Sequence, residues 1–267
     1  MPFARDLRFT VVWVFFLLCG HVLTCAAQSG SPSTPNAAPA RPTVSTPATL
    51  TPVGYLQFEN GGFYAQDSPE FSRRLSFQQA TRLTVHPRLE LILESEPVVG
   101  SEIAGQHAVQ IGDISAGAQV VALQGSDSRP TVSVSYFRSI YLGPAPDIDI
   151  GSAKQSALIL VSDDLGGFHF DANGIANEQQ QGVVRRAQWG QTLSISHPLK
   201  KFTFTGEIWH FSQPLTHGNT TGTLWAISYS LRGNLVFDAA VNRGLNATST
   251  RWEALFGFTY LLPKRLW

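Results

Sequence analysis

The C-terminal stretch of residues 251–262 (RWEALFGFTYLL) constrains the fold more than any other part of the sequence. It alternates apolar and other side chains with a period of two, which predicts a β-strand with one apolar face. Its length exceeds the ~5–6 residues usual in soluble domains and matches the ~9–11 residues that cross a membrane. The apolar face consists of Trp252, Ala254, Phe256, Phe258, Tyr260 and Leu262. A closing strand of this kind predicts an all-β fold, an antiparallel transmembrane β-barrel.

The composition is compatible with such a barrel and argues against a nucleic-acid or acidic partner. The chain has 267 residues, 19 basic and 19 acidic side chains, and a formal net charge of zero. Charged residues make up 14%, against about 25% in typical soluble proteins. A barrel keeps half of each strand polar, so its overall hydrophobic content, here 43%, shows no excess. A soluble β-protein can share this composition and stays an alternative.

The N-terminus has the pattern of a secretory signal peptide over residues 1–27. Two arginines within the first eight residues precede the apolar run 9–18 (FTVVWVFFLL), and Cys25-Ala26-Ala27 offers a small-x-small cleavage site. The alternatives are a retained membrane anchor and a lipoprotein with Cys25 as the lipidated residue. Thr24 counts against the lipoprotein, because a smaller residue is expected before the lipidated cysteine. A secreted barrel is expected in the bacterial outer membrane.

Three regions follow from these patterns. Both cysteines, Cys19 and Cys25, lie in the signal peptide, so the mature chain is expected to contain no disulfide. Residues 28–53 are rich in Pro, Ser, Thr and Ala and predict a disordered linker. Residues 54–267 are then the barrel. No later apolar run approaches the ~18 residues of a membrane helix, so strands are the expected means of crossing.

About twelve alternating segments are separated by connections that alternate between long and short. The segments lie near residues 54–66, 73–86, 88–97, 112–123, 130–142, 155–165, 168–176, 183–197, 201–213, 223–232, 235–244 and 251–262. Short connections are expected at 86–88, 124–129, 166–167, 198–200 and 232–234. Long ones are expected at 67–72, 98–111, 143–154, 177–182, 214–222 and 245–250. Outer-membrane barrels place short turns in the periplasm and long loops outside, so both termini are expected to be periplasmic.

Strand register can also be predicted at hairpins, because a slip of one residue sends polar and apolar sets to the same face. Pairing Val85 with Leu89 keeps the leucines of both strands on one face. Pairing Tyr229 with Phe237 does the same across the Arg-Gly-Asn turn at 232–234. The predicted apolar face is therefore continuous from one hairpin to the next, as contact with lipid requires.

The opposite face of these strands predicts a lumen that contains charges of both signs. Arg82 is expected to lie diagonally between Glu90 and Glu94, within reach of a long side chain. Two interpretations are open: the charges fill and rigidify the lumen, or they set selectivity along a pore. Twelve strands favour a narrow path rather than a wide porin. The predicted lumen-lining residues are Arg74, Arg82, Glu90, Glu94, Glu96, His169, Asp171, Arg186, Glu207, Asp238, Arg251 and Glu253.

The sequence contains no convincing catalytic, metal-binding or cofactor-binding motif, and we expect none of these sites. His210 and Ser212 share the outward face of one strand, a pair similar to that of outer-membrane phospholipase A. That family carries a His-Ser-Asn-Gly stretch, which is absent here, and no orienting Asn or Asp is evident. A lipid-active enzyme is therefore the third hypothesis, after a channel and a non-transporting structural or adhesive barrel.

Three short motifs resemble the outer-membrane transporter family named for the meta-pathway of phenol degradation. They are GDISAGA at 112–118, FDAAVNRGLN at 237–246 and GFTY at 257–260. The likeness extends over residues 54–262 and implies a barrel that passes small solutes, aromatic ones among them. The implied partners are outer-membrane lipids, a small-molecule solute and the barrel assembly machinery. In one departure from common barrel endings, residues 263–266 separate the last strand from the terminal aromatic, Trp267.

Overall fold

The computed structural model describes residues 35–146, 148, 153–181, 183–215 and 218–267. The predicted signal peptide, residues 1–27, and the first part of the predicted linker, residues 28–34, lie outside the described residues. None of the described residues forms a helix long and apolar enough to cross a membrane.

The chain forms one closed antiparallel barrel, which confirms the predicted fold class. The described residues form thirteen strands. Twelve of them make up the barrel, and the short β4 pairs only with β3. β1 pairs with both β2 and β13, so the sheet closes on itself. Closure leaves no unpaired sheet edge facing lipid. The strands are β1 (Leu56–Gln66), β2 (Arg73–His86), β3 (Leu89–Ile103), β4 (Gln106–Gln110), β5 (Ile114–Leu123), β6 (Thr131–Tyr141), β7 (Ala153–Leu165), β8 (Phe168–Gln181), β9 (Val184–Leu199), β10 (Phe202–Phe211), β11 (Thr220–Arg232), β12 (Leu235–Gly244) and β13 (Trp252–Leu261).

Most connections sort by length to the two ends of the barrel, as predicted. The exceptions are the long connection 124–130 at the short-turn end and, at the opposite end, the short connection from β8, which ends at Gln181, to β9, which begins at Val184. The short-turn end carries the connections 87–88, 124–130, 166–167, 200–201 and 233–234, together with the C-terminus. The opposite, long-loop end differs from expectation in two places. Residues 98–111 are mostly strand, because β3 continues and pairs with the short β4 in a hairpin. Residues 177–181 also extend β8, which pairs with β9 beyond the expected loop boundary.

The outer face of the barrel is a continuous apolar belt. Large apolar side chains are exposed on strands around the barrel, including Ile159 at 58%, Trp225 at 57% and Phe256 at 62%. On the closing strand, Trp252, Phe256 and Phe258 are exposed, whereas Glu253 and Thr259 point inward and are buried. The period of two therefore separates a lipid-facing side from a lumen side, as the sequence predicted.

The predicted hairpin registers are confirmed away from the turns. Leu83 pairs with Leu91, which is the register that Val85 and Leu89 implied, and Tyr229 pairs with Phe237. Next to each turn a bulge shifts the last pair, to His86 with Leu89 and to Arg232 with Leu235. One extra residue on one strand lets a two-residue connection replace the expected three-residue turn without moving any side chain to the wrong face.

The predicted disordered linker requires a correction over its described part, residues 35–53, here called the lumen segment. It is ordered and lies inside the barrel, with Ser45, Ala48 and Thr51 buried. A segment rich in Pro, Ser, Thr and Ala cannot bury enough of its own surface to fold alone. It does not need to, because hydrogen-bonding side chains of the barrel wall provide its partners.

A charge placed in the middle of the apolar belt is expected to destabilise the barrel much more than one placed at its margin. Ile227→Arg, on the outer face midway along β11, should lower the free energy of unfolding by about 2–4 kcal/mol. Leu231→Arg, next to the turn, should lower it by only about 0–1 kcal/mol. Equilibrium denaturation in lipid vesicles measures both. Equal effects of the two substitutions would contradict the assignment of the outer face to lipid.

Candidate functional site

The lumen segment enters and leaves the barrel at the short-turn end. The Ala37 amide donates to the carbonyl of Gly233 in a short turn, at 2.7 Å. The chain rises to about mid-height near Arg41 to Ser45 and then descends again. At its end the Gly54 amide donates to the Thr84 carbonyl at 2.8 Å, and β1 begins two residues later. The segment is thus a loop within the short-turn half of the lumen.

Two primary amides on the wall act as substitutes for a neighbouring strand. The Gln57 amide accepts a hydrogen bond from Ala38 N at 2.9 Å and donates one to Ala38 O at 2.8 Å. The Asn173 amide makes the same pair of bonds with Thr46 N, at 2.6 Å, and Thr46 O, at 2.9 Å. A carboxamide has the same donor and acceptor as a peptide group. It can therefore satisfy a buried backbone unit that has no sheet partner.

Two buried carboxylates hold the rising and descending parts of the segment. Glu207 accepts from Val44 N at 2.8 Å, Ser45 N at 2.6 Å and Ser45 Oγ at 2.5 Å. Glu90 accepts from Thr51 N at 3.0 Å and from Thr51 Oγ1 at 2.6 Å. Hydrogen bonds to a charged acceptor are stronger than neutral ones, so these contacts are the main polar anchors of the segment.

Between the two anchors, wall side chains satisfy the backbone at Pro47 and Ala48. Gln119 Nε2 donates to Pro47 O at 3.0 Å, and Ser162 Oγ accepts from Ala48 N at 2.7 Å. Ser133 Oγ donates to Ala48 O at 2.5 Å. Prolines reduce the number of backbone donors that need a hydrogen-bond partner, because a proline has no amide hydrogen. They recur along the segment at Pro35, Pro39, Pro42, Pro47 and Pro52.

Arg41, the single charge in the segment, occupies a recess in the wall formed by two glycines. Gly61 and Gly257 face each other in the β1–β13 pairing. A Cβ at Gly61 would lie 2.1 Å from Arg41 Nη2, and one at Gly257 would lie 3.0 Å from it. Arg41 Nη2 is 3.6 Å from Asp238 Oδ1, forming an ion pair with the neighbouring strand. The glycines leave the space that a guanidinium needs to lie flat against the wall.

The wall itself contains two ion-pair groups. Arg82 lies between Glu59, at 3.1 Å, and Glu90, at 3.0 Å, and all three side chains are almost completely buried. Arg74 forms a two-bond pair with Glu96, at 2.8 and 2.5 Å. Its Nε also donates to the carbonyl of Pro146, at 3.2 Å, in the loop between β6 and β7. That loop therefore reaches across to β2 at the long-loop end.

The other predicted lumen residues fall into two groups. Those inside the barrel include Glu94, which accepts from Ser115 at 3.3 Å, and Glu253, which accepts from Asn242 at 2.7 Å. His169 lies near the short-turn end, 2.8 Å from Asp164 and 3.2 Å from Asp171. Arg186 and Arg251 require a correction, because both are exposed at the long-loop end. Both residues occupy inward positions in the alternation of their strands, but they lie beyond the enclosed part of the lumen, at its long-loop end. Inward positions that the structure buries are Arg74, Arg82, Glu90, Asp171, Glu207, Asp238 and Glu253.

The sequence placed Glu90 and Glu207 in the lumen but did not show that they bind the lumen segment, and it did not identify the other wall residues that bind it. Glu59 and Gln57 follow the inward alternation of β1, so strand periodicity could have identified both. Asn173 lies two residues after the predicted lumen residue Asp171, so alternation also places it inward, but nothing in the sequence marks it as a partner of Thr46. The lone charge Arg41 in an otherwise uncharged tract was the one local signal that this tract has a partner.

A cavity of about 560 Å³ lies above the lumen segment, towards the long-loop end. The segment lines its lower side from Ala40 to Val44. The wall from β7 round to β1 carries most of the apolar and aromatic lining, together with the carboxylates of Glu59 and Glu253. Strands β2 and β3 present Arg74, Arg82, Glu94 and Glu96. The cavity is therefore more apolar on one side, with charged groups on both. The large apolar lining residues outside the lumen segment are Phe63, Phe137, Ile148, Leu158, Ile175, Trp209, Phe211, Leu224 and Leu255.

The histidine and serine proposed for a lipid-active enzyme have separate partners. His210 Nδ1 lies 2.9 Å from Thr221 Oγ1, and Asn219 Nδ2 is 3.5 Å from its other ring nitrogen. Ser212 Oγ accepts from the backbone amide of Trp189 at 2.8 Å. Within the described ranges, no group of three His, Cys, Asp or Glu side chains is placed to hold a metal ion.

Comparisons with known proteins support the fold. No family model matches the sequence, and no curated protein matches it. The KdgM porin, solved in complex with disordered oligogalacturonate, superposes with a TM-score of 0.50 at 11% identity, covering 76% of this chain and 98% of that chain. The CymD monoaromatic hydrocarbon channel gives a TM-score of 0.47 at 8% identity, covering 79% and 88%. An anion-selective porin from Comamonas acidovorans gives 0.43 at 7% identity, covering 78% and 98%. The porin with the TM-score of 0.50 shares the outer-membrane β-barrel fold.

Loss of Arg82 should be costly, because it leaves two buried carboxylates without their cation. Arg82→Met is expected to lower the free energy of unfolding by about 3–5 kcal/mol. The matched control, Arg73→Met, removes an exposed arginine from the same strand, and its pair with Glu102 should be worth about 0–1 kcal/mol. Adding Glu59→Gln and Glu90→Gln to Arg82→Met should restore part of the loss. A small effect of Arg82→Met on denaturation would show that the carboxylates are hydrated or otherwise compensated.

Proposed function

We propose that this protein is a bacterial outer-membrane channel for small solutes whose lumen is closed at rest by its own residues 35–53. The observation that carries the proposal is a solute-sized cavity inside a closed barrel, with the lumen segment as its lower boundary. The short-turn end, which contains both ends of the segment, is assigned to the periplasm. Solute then passes from the long-loop end to the cavity and reaches the periplasm when the segment moves.

The contacts of the segment favour a reversible closure over a permanent core. They are hydrogen bonds to carboxylates, amides and hydroxyls, with Val44 providing an apolar contact to Ile175, Trp209 and Phe211. Such bonds contribute about 0.5–1.5 kcal/mol each between neutral groups and about 1.5–3 kcal/mol to a charged group, and Arg41 adds an ion pair with Asp238. The wall groups and the segment can both be hydrated after separation. The segment can therefore leave the wall without exposing a large apolar surface to water.

The cavity favours solutes with an apolar, ring-shaped part. Trp209 and Phe63 retain a small accessible surface and form its aromatic side. The fully buried Phe211 packs against Trp209, with the two ring centroids 6.0 Å apart. Flat apolar solutes can pack on such rings, and a polar substituent can reach Arg74, Glu94 or Glu96 opposite. The resemblance to the phenol-degradation transporter family leads to the same expectation. Small aromatic molecules with a hydroxyl or similar group are therefore the proposed solutes.

A non-transporting structural or adhesive barrel is the second candidate. The observation that favours it is the number of polar contacts that join the segment to the wall. Buried arginines and carboxylates pair with one another, and the segment's backbone is satisfied by the wall. In that case the lumen segment is a permanent part of the interior. Solute flux separates the two candidates directly.

A disulfide that locks the lumen segment should abolish conductance reversibly. Ser45 Oγ and Thr192 Oγ1 are 2.9 Å apart, so Ser45→Cys with Thr192→Cys places two thiols at bonding distance after small adjustment. The natural cysteines, Cys19 and Cys25, are replaced by serine in the same protein. We expect planar-bilayer conductance to be lost on oxidation and restored by a reducing agent.

Each single-cysteine variant is the control and should conduct in both redox states. Deletion of residues 35–53 should raise conductance constitutively if the barrel still shows heat-modifiable gel migration. Absence of solute flux in the reduced double variant, in the wild type and in a folded deletion variant would refute the channel. That result would favour the second candidate, a non-transporting structural or adhesive barrel.

Trp209 should contribute to binding of an aromatic solute, whereas an outward-facing tryptophan should not. Trp209→Leu keeps an apolar side chain but removes the ring, and phenol affinity in detergent solution should fall about two- to tenfold. Trp225→Leu, on the lipid-facing side of β11, is the control. Phenol that dissolves in the detergent contributes equally to the titrations of both variants. Calorimetric titration measures both. Equal affinities of the two variants would remove the aromatic preference while leaving the channel itself intact.

A further inference from the structure

The outer face of the barrel changes character at the long-loop end of β6 to β9. Ile159 and Trp189 are exposed within the apolar belt of these strands. Nearer the long-loop end the outward positions carry Arg138 and Arg185, and Lys154 lies at a bulge in β7 beside Gln180. Between these two levels is a surface depression of about 460 Å³, here called the rim groove. Its lining includes Tyr136, Gln155, Ala157, Ala176, Glu178, Arg185 and Ala187.

Strand register places the groove's small and basic residues side by side. Ala157 pairs with Ala176, which gives a smooth floor across β7 and β8. Arg138 pairs with Gln155, and Gln155 pairs with Glu178, so these three side chains form one row. Arg185 is opposite Gln180, one step nearer the long-loop end. The basic side chains therefore border the alanine floor on the side away from the middle of the belt.

Hydrogen bonds within the groove fix the polar row and leave a positive charge excess. Tyr136 Oη donates to Gln155 at 2.8 Å, and Gln155 donates to Glu178 at 2.6 Å. Arg185 pairs with the other oxygen of Glu178 at 3.2 Å, while its side chain stays 63% exposed. Lys154 donates to Gln180 at 2.5 Å. Arg185, Arg186 and Glu178 line the groove, and Arg138 and Lys154 lie beside it, so cations outnumber carboxylates there.

We propose that the rim groove binds an anionic membrane lipid whose headgroup carries a phosphate. An acyl chain lies on the floor of Ala157 and Ala176, beside Tyr136 and Trp189. The phosphate contacts Arg138 and Arg185, whose guanidinium groups suit phosphate geometry. Basic clusters at the membrane surface attract anionic lipid in this way. The proposal rests on the membrane location proposed above but not on solute passage, so a closed barrel would bind the lipid equally well.

Charge complementarity and position together select a lipid as the occupant. An uncompensated Arg or Lys on the lipid face is unfavourable unless it lies near the interface, and long basic side chains reach headgroups from there. A soluble anion would use the cations but not the adjacent alanine floor. A phosphate-bearing lipid uses both.

Native mass spectrometry of the full chain, released from vesicles, tests the site. Vesicles of phosphatidylcholine alone are compared with vesicles that also contain phosphatidic acid, and phosphatidic acid adducts are expected on the wild type. Arg138→Gln with Arg185→Gln should reduce their abundance at least about tenfold, equivalent to ~1.4 kcal/mol. Arg73→Gln is the matched control, because Arg73 is also exposed on the outer face of the barrel but lies on β2, away from the groove. This variant should keep the adducts.

A second variant tests the floor of the groove without altering charge. Ala176→Phe fills the depression and should also reduce the adducts, and heat-modifiable gel migration verifies that each variant is folded. Inorganic phosphate added at millimolar concentration should not displace the lipid. Adducts that survive both the double arginine substitution and Ala176→Phe, or that phosphate alone removes, would overturn the proposal.

Discussion

The whole structure depends on the pairing of backbone N–H and C=O groups that water cannot reach. In hydrocarbon each unpaired group costs several kcal/mol, so a sheet must close on itself. Here the closing contact is the β1–β13 ladder, which joins the first and last strands from Gln57 with Leu261 to Gln66 with Trp252. Once the ladder is complete, the alternation of side chains decides which face meets lipid and which encloses the lumen.

The same requirement explains the lumen segment. A peptide inside the barrel must also have its backbone groups paired, yet residues 35–53 have no strand beside them. Carboxamides and carboxylates of the wall take the place of that strand, with Gln57, Asn173 and Glu207 each making two or more bonds to it. An interface built from such groups can separate and hydrate, which an apolar core cannot do at comparable cost. The segment's contacts and the proposed gating are thus two consequences of one kind of interaction.

Strand periodicity predicted much of this arrangement and failed at identifiable places. Alternation along each strand indicated the inward position of Arg82 and its approach to Glu90, because neighbouring strands in a known register bring diagonal side chains together. It gave no sign that Glu59 completes the group, since the β1–β2 register has no tight turn to define it. Arg186 and Arg251 alternate correctly but are exposed, because periodicity does not show where an enclosed lumen ends.

The sequence by itself determined which face of each strand meets lipid and which faces the lumen. It also determined the number of strands in the barrel and the end at which most of the long and short connections lie. These properties are local, because a period of two and the length of a turn depend only on residues that are consecutive in the sequence. Only the tertiary structure decided that residues 35–53 lie inside the barrel. Their order comes from Glu90, Asn173 and Glu207, which are distant in the sequence and converge only when the barrel closes. A tract that cannot fold alone becomes ordered when other strands supply its hydrogen-bond partners.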